Sequence, residues 1–174
     1  MKYLILFLFF SGPDFIVNNK ELSTKDIVFA SKQQFELTKE EVSSMLGAAA
    51  TSSSGRDSTG KASYIRKSRT YTVNIKEKGQ SRESNLYYAY ERFGSVEMAN
   101  KLIDSYFESN RNSAGYQQLT GYGDEGFFHT DGENFCTFVA RKGSVLIRLK
   151  ISKLTSKSNQ EAVKRLGMKM INLS

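Results

Sequence analysis

Residues 135–152 read FCTFVARKGSVLIRLKIS, and the way this stretch pairs with itself decides the fold. Its halves, FCTFVAR (135–141) and SVLIRLKIS (144–152), have the β-branched and aromatic content of strands, and Lys142-Gly143 between them is a turn signal. A two-residue connection at Lys142-Gly143 predicts a hairpin that sets Phe138 opposite Ile147, Ala140 opposite Val145 and Cys136 opposite Leu149. Thr137 then faces Arg148 and Phe135 faces Lys150 on the other side, so apolar residues meet apolar ones. A three-residue loop with Gly143 in a left-handed bulge shifts the pairing by one and turns Arg148 toward Cys136. That buries a charge and is the less favourable register.

Immediately upstream, GFFHT (126–130) and NFCTF (134–138) straddle Asp131-Gly132-Glu133, a second turn signal. A two-residue turn at Asp131-Gly132 sets His129 against Asn134 and Phe127 against Cys136. A four-residue loop instead makes His129 and Cys136 direct cross-strand neighbours. Only the second register allows a Cys–His dyad, and it lies on the core face beside Phe138 and Leu149, where a cysteine is a small hydrophobe and not an exposed thiolate.

Before these strands stands GYGDEG (121–126), three glycines around an acid pair. Adjacent residues of an extended chain point in opposite directions, so Asp124 and Glu125 are not expected to share one substrate. Asp124 is read as bonding back to its own backbone and Glu125 as meeting a nearby Lys or Arg, with glycines where the chain reverses. The segment lacks the preceding strand-to-helix geometry of a dinucleotide site, and no phosphate loop with its Lys-Ser/Thr ending occurs in the chain. The spacing of Asp124, Asp131, Glu133 and Asn134 fits no EF-hand loop. One histidine and one cysteine do not make a zinc site, so no metal and no cofactor is expected.

Three helices are expected around these strands. LTKEEVSSMLG (37–47) has a capping box at Thr38 and Glu41, a Val42, Met45, Leu46 stripe, and Gly47 as its stop. SVEMANKLIDSYFES (95–109) opens at Ser95 and lines one side with Val96, Ala99, Ile103 and Tyr106. SNQEAVKRLGMKMI (158–171) has Ser158 and Glu161 as a capping box and Ala162, Val163, Leu166 and Met170 as its apolar face. RTYTVNIKEKG (69–79) alternates as a strand, with ASYIRKS (62–68) as its expected hairpin partner. LYYAYERF (86–93) is strand or the approach to a helix. GAAATSSSGRDSTGK (47–61) reads as a mobile surface loop.

The chain has 174 residues, 39% of them hydrophobic, which is enough for one core. With 25 Lys+Arg against 18 Asp+Glu it carries +7, a bias toward anionic partners, yet the cations are scattered and no basic arm or aromatic RNA-binding signature is present. Nucleic acid is therefore the weaker choice of partner. Met1-Lys2 followed by YLILFLFF (3–10) resembles the start of a secretory signal, although no A-x-A cleavage site follows; a buried strand is the other reading. The run is too short to span a bilayer.

Taken in order, LTKEEVSSMLG (37–47), the Ser/Gly-rich stretch, SYIRKS (63–68), the mid-chain helix, GYGDEGFF (121–128), FVARKGSVLIRL (138–149) and the last helix resemble a group of small bacterial extracytoplasmic domains of unassigned function. Many of those are lipoproteins. They carry an L-T-x-x-E-V-x-x-x-L-G helix and a G-x-G-D-E-A-[FY] turn before a hydrophobic hairpin tipped by R-K-G. More loosely, the order is similar to Mog1/PsbP-like domains. The resemblance covers about residues 35–171 and implies helices packed on an antiparallel sheet and an adaptor or ligand-binding role. The chain departs from the pattern in having no lipid-anchor cysteine after the apolar start, no second cysteine for the disulfide of some relatives, and Gly126 where Ala is usual. No catalytic residue is carried over.

The expectation is therefore a signal-peptide-like segment over 1–12 and a single α+β domain over 13–174, an antiparallel sheet with helices packed on one face. It is expected in the periplasm or secreted, with the cytoplasm as the alternative if the first residues are retained. The expected role is non-catalytic binding of an envelope protein, an anionic surface or a small ligand. Tyr122, Asp124 and Glu125 near the glycine turn, and Arg148 and Lys150 on the exposed strand face, are the candidate binding residues. The alternatives are a hydrolase or thiol enzyme using His129 and Cys136, and a basic nucleic-acid or polyanion binder.

Overall fold

A computed structural model describes residues 36–60 and 64–174. The signal-like segment lies outside the described residues. Along the chain run α1 (Lys39–Leu46), β1 (Ser52–Thr59), β2 (Ile65–Glu77), β3 (Gln80–Arg92), α2 (Val96–Asn110), β4 (Tyr116–Leu119), β5 (Glu125–Thr130), β6 (Phe135–Lys142), β7 (Val145–Ser152) and α3 (Gln160–Leu173). The strands form one seven-stranded sheet in the order β1-β2-β3-β7-β6-β5-β4, antiparallel throughout. The α+β class and the antiparallel sheet are as expected.

The helices are not on one face. Phe127 and Phe128 are both about 1% exposed although they point to opposite sides of β5. Phe128 joins Leu86, Phe138, Leu149 and Ile151 in a core closed by Leu46 of α1 and Val163 and Ile171 of α3. Phe127 joins Val139 and Leu146 in a second core closed by Ile103 of α2. The apolar doublets Phe127-Phe128, Val139-Ala140 and Leu146-Ile147 leave the central strands greasy on both sides, so each side takes a helix.

Local chemistry sets the helix ends. Thr38 Oγ1 accepts from the Glu41 amide at 3.1 Å and the Glu41 carboxylate accepts from the Thr38 amide at 2.9 Å, the expected capping box. Ser95 caps α2 by accepting from the Met98 amide at 3.2 Å. Val96, expected on the apolar side of α2, is 48% exposed because it lies in the first turn, beyond the reach of the sheet. At α3 the cap is Asn159, which accepts from the Ala162 amide at 3.0 Å; Ser158 instead accepts from the Thr155 amide, so the Ser158–Glu161 capping box does not form.

Three strand expectations are corrected. Ser52–Thr59 is a strand and not a loop, paired with β2 through its backbone while all eight residues are exposed. ASYIRKS is not a separate partner for the strand after it, since β2 runs unbroken from Ile65 to Glu77 and turns at Lys78-Gly79 into β3. Both turn residues have positive φ, 49° and 80°, as a type I′ hairpin requires. In the β6–β7 hairpin Phe138 pairs with Leu149, Ala140 with Ile147 and Thr137 with Lys150, two residues from the expected register. Lys142 pairs with Val145, so the turn is Gly143-Ser144, with Gly143 at φ +55° in the first central position, where a type II′ turn takes glycine. A slip of two keeps every residue on its predicted face.

Candidate functional site

The β5–β6 connection fits neither register expected for it. Thr130 pairs with Cys136 and His129 with Thr137, leaving five residues in the loop. Asp131 organises that loop, its carboxylate accepting from the amides of Glu133, Asn134 and Phe135 and from the Asn134 side chain at 2.7–3.1 Å. This register sends His129 and Cys136 to opposite faces of the sheet, so they form no dyad. Cys136 is fully buried in the larger core, and burial pushes its thiol up to about 12. His129 packs edge-on against Phe135 with ring centroids 5.0 Å apart, and its nitrogens face Asn110 Oδ1 at 3.0 Å and the Ala114 carbonyl at 3.2 Å. Because the Asn110 amide nitrogen donates to the Tyr106 carbonyl, its oxygen is the atom turned to His129. The imidazole thus ties the last turn of α2 to β5.

The acid pair is a clasp. β5 begins at Glu125 and Asp124 belongs to the preceding turn, so strand alternation does not separate the two side chains. Both converge on Arg141, whose Nε donates to Glu125 Oε1 at 2.6 Å and whose Nη1 donates to Asp124 Oδ2 at 2.7 Å. Asp124 also accepts from the Gly143 amide at 2.7 Å and so ties the glycine turn to the β6–β7 hairpin; it does not bond back to its own backbone. Gly123, at φ +74°, lies against the Arg141 carbonyl, where a Cβ would come within 2.4 Å. Tyr122 packs on Phe138 with ring centroids 5.8 Å apart, at the rim of the larger core. Among the described residues no group of three or more His, Cys, Asp or Glu is placed to hold a metal ion.

Arg148 and Lys150 are brought together on the face that carries α2, at the margin of the area this helix covers. Two adjoining cavities, of about 500 Å³ and about 310 Å³, share Thr137, Arg148 and Lys150 as a common wall. The first opens over Arg66, Ser68, Thr70 and Tyr87; the second runs under α2 between Tyr106 and Phe135 toward His129. A larger cavity of about 1000 Å³ lies at the β2–β3 turn, but no buried charged side chain lines it, and its Glu77 is taken up by the Ser156 amide at 2.6 Å and by Arg82.

Beneath the shared wall sits Glu91, whose side chain is 5% exposed. Glu91 pairs across β2–β3 with Arg66, and Arg148 reaches it from β7 on the other side. Arg66 Nε lies 3.8 Å from Glu91 Oε1 and Arg148 Nη2 lies 3.6 Å from Oε2, while Tyr64 donates its hydroxyl to Oε1 at 2.8 Å. Burial first, and then this bond to the carboxylate, raise the Tyr64 phenol above its ordinary range. Arg148 Nη1 also donates to the Tyr106 hydroxyl at 2.6 Å and the guanidinium lies over that ring, 5.2 Å from its centre. Arg66 Nε, Arg148 Nε and Glu91 Oε2 are all buried without a hydrogen-bond partner.

Of the five candidate binding residues, then, Arg148 and Lys150 share a cavity wall, whereas Tyr122, Asp124 and Glu125 belong to the turn and the core edge. Sequence reasoning missed Arg66 and Glu91. Their signal was Lys78-Gly79: a two-residue turn there, followed back along the hairpin, sets Arg66 opposite Glu91. No protein-family model matches the chain, and no curated protein matches it significantly. Among the described residues no helix is long and apolar enough to cross a membrane.

Proposed function

We propose that the protein is a non-catalytic binding module of the bacterial cell envelope that takes an anionic partner on the open sheet face around Arg148 and Lys150. The observation that carries this reading is the pair of adjoining cavities with those two cations in their common wall and Arg66 beside them. The side chains there come from β2, β3, β6 and β7, inside a rigid sheet, which suits binding without rearrangement. The reading is non-catalytic because His129 and Cys136 face opposite sides, so no thiol–imidazole pair forms, and the His129 ring is packed among Phe135, Asn110 and Ala114. The envelope placement rests on the apolar run YLILFLFF and on the resemblance to extracytoplasmic domains. Intact-mass measurement of the native protein tests it, a retained Met1–Phe10 arguing for the cytoplasm.

The test of the face is salt. Binding to anionic envelope material is expected to weaken steadily between about 50 and about 300 mM salt, and Lys150→Gln is expected to weaken it at low salt. Binding that ignores both salt and Lys150→Gln removes this face from consideration.

A further inference from the structure

We propose that the open face binds a small amphiphilic organic acid, its carboxylate or phosphate held by Arg66, Arg148 and Lys150 and its apolar body laid between Tyr106 and Phe135. The proposal rests on the open face being the binding face and specifies what occupies it.

The first argument is how charge is distributed along the cleft. The two cavities together cross five adjacent strands, β2, β3, β7, β6 and β5, or about 19 Å at the usual strand spacing. Arg66 stands over β2, the Arg148 guanidinium lies over the Tyr106 ring and Lys150 Nζ lies 5.8 Å from the centre of the Phe135 ring, so the cations run from β2 to the seam between the two halves and stop there. Beyond the shared Arg148 and Lys150, the half over β5 and β6 offers rings and Val139. Its other polar groups face protein partners: the His129 ring lies against Asn110 Oδ1 and the Ala114 carbonyl, and Thr137 Oγ1 donates to the Leu149 carbonyl at 3.3 Å. A long polyanion needs cations along its whole length, and this cleft has none beyond the seam, over β5. An extended peptide gains most from unpaired backbone at a sheet edge, whereas the strands here are paired on both sides. A ligand with one charged end and one apolar end fits the cleft as built.

The second argument is the state of the cations. Glu91 brings one buried negative charge against two guanidiniums that reach it from opposite sides. At 3.8 and 3.6 Å both contacts are longer than hydrogen bonds, so the carboxylate orients Arg66 and Arg148 without consuming their donors. The two side chains are 43% and 29% exposed and line the first cavity; with each Nε buried, their Nη groups are the donors that can meet an oxyanion. Glu91 is on this account a positioning residue that does not itself touch the ligand.

The experiment is titration of the full chain with 2-naphthoate, 2-naphthyl phosphate, 2-naphthol, acetate and a heparin oligosaccharide, followed by calorimetry. The variants are Arg66→Gln, Lys150→Gln and, as a distant control, Lys101→Gln. One naphthyl anion is expected to bind per chain, at least roughly tenfold tighter than naphthol or acetate, and the ratio of the two anions identifies the head group. Arg66→Gln and Lys150→Gln should each weaken it roughly tenfold and Lys101→Gln should leave it unchanged. Naphthyl anions that bind no tighter than naphthol and acetate, or that ignore both variants, overturn the proposal. Heparin binding that is lost in Lys150→Gln while the naphthyl anions fail would overturn the amphiphile and keep the basic face. Failure of every anion would remove both.

Discussion

Arg141 is one buried charge that ties three pieces of chain together. It is 8% exposed and holds Asp124, Glu125 and the Gly143 carbonyl, the last at 2.9 Å. Arg141→Met keeps the apolar stem and strands two carboxylates. The loss is expected to be about 2 kcal/mol, below the usual cost of breaking a buried pair because Asp124 is half exposed, and to appear as a lower urea midpoint at unchanged slope. Two other residues carry pH dependence of opposite sign. The Asn134 side chain first, and then the amides of the loop, hold the Asp131 carboxyl well below the ordinary range. A depressed folded value means that the contribution is complete above about pH 4 and is lost as pH falls toward the folded value. Asp131→Ala should therefore be less stable than wild type at neutral pH, with the gap in urea midpoint narrowing between about pH 4 and about pH 2. At Cys136 burial raises the folded value to about 12, so its contribution is complete below the ordinary thiol value of about 8.5 and is lost as pH climbs toward the folded one. Reaction of Cys136 with a chromogenic disulfide at about pH 8 should follow global unfolding, its rate rising with urea as the unfolded fraction does. Fast labelling of the native protein would contradict the buried placement.

At the scale of elements, α3 meets β6 at a glycine. A Cβ at Gly167 would lie 2.4 Å from Phe138 Cε1, and Phe138 is fully buried and unable to yield. Alanine is the better helix former by about 1 kcal/mol, so a surface glycine would gain from the change. Here overpacking outweighs propensity, and Gly167→Ala is expected to lose about 1–2 kcal/mol in thermal unfolding. Phe138→Leu in the same chain should recover part of that loss, which a double-mutant cycle measures. The contact marks a limit of what the sequence makes legible. The apolar face of α3 could be read from Ala162, Val163, Leu166 and Met170, but not that Gly167 lets a ring approach. The β6–β7 faces were legible while the register was not, because the hydrophobic pattern is blind to a slip of two and only the turn position of Gly143 decides it. β1 was illegible for a related reason: SSSGRDST buries neither face and so carries no period. Arg148 and Lys150 could be picked out by alternation. Arg66 and Glu91 needed the β2–β3 register carried from Glu77 and Gln80 out to the far end of the hairpin.

For the whole molecule, the sheet is clad unequally, and stability should be distributed in the same way. β6 and β7 lie between α3 on one side and α2 on the other, and most of their residues are buried. β1 stands at the far edge with no side chain buried, held by its ladder to β2 and by the ion pair of Asp57 with Arg69. An exposed ion pair adds little, and a ladder with no apolar cover opens without carrying the core along. Amide exchange of residues 52–59 is therefore expected to proceed through local opening, faster by several orders of magnitude than exchange in β6 and β7, which should require global unfolding. Hydrogen-exchange mass spectrometry at increasing low urea separates the two. Exchange in β1 should be nearly independent of denaturant, and exchange in β6 and β7 should accelerate with the full unfolding slope. The open face over Arg66, Tyr87 and Arg148 lies between these extremes, on strands paired on both sides but uncovered on one. A ligand there bridges β2 to β6 and gains nothing from β1, so the naphthyl anion should slow exchange in β2, β3 and β7 and leave residues 52–59 untouched. Equal protection of β1 would mean that the occupant reaches the sheet edge, and the cleft would then have to be redrawn to include it.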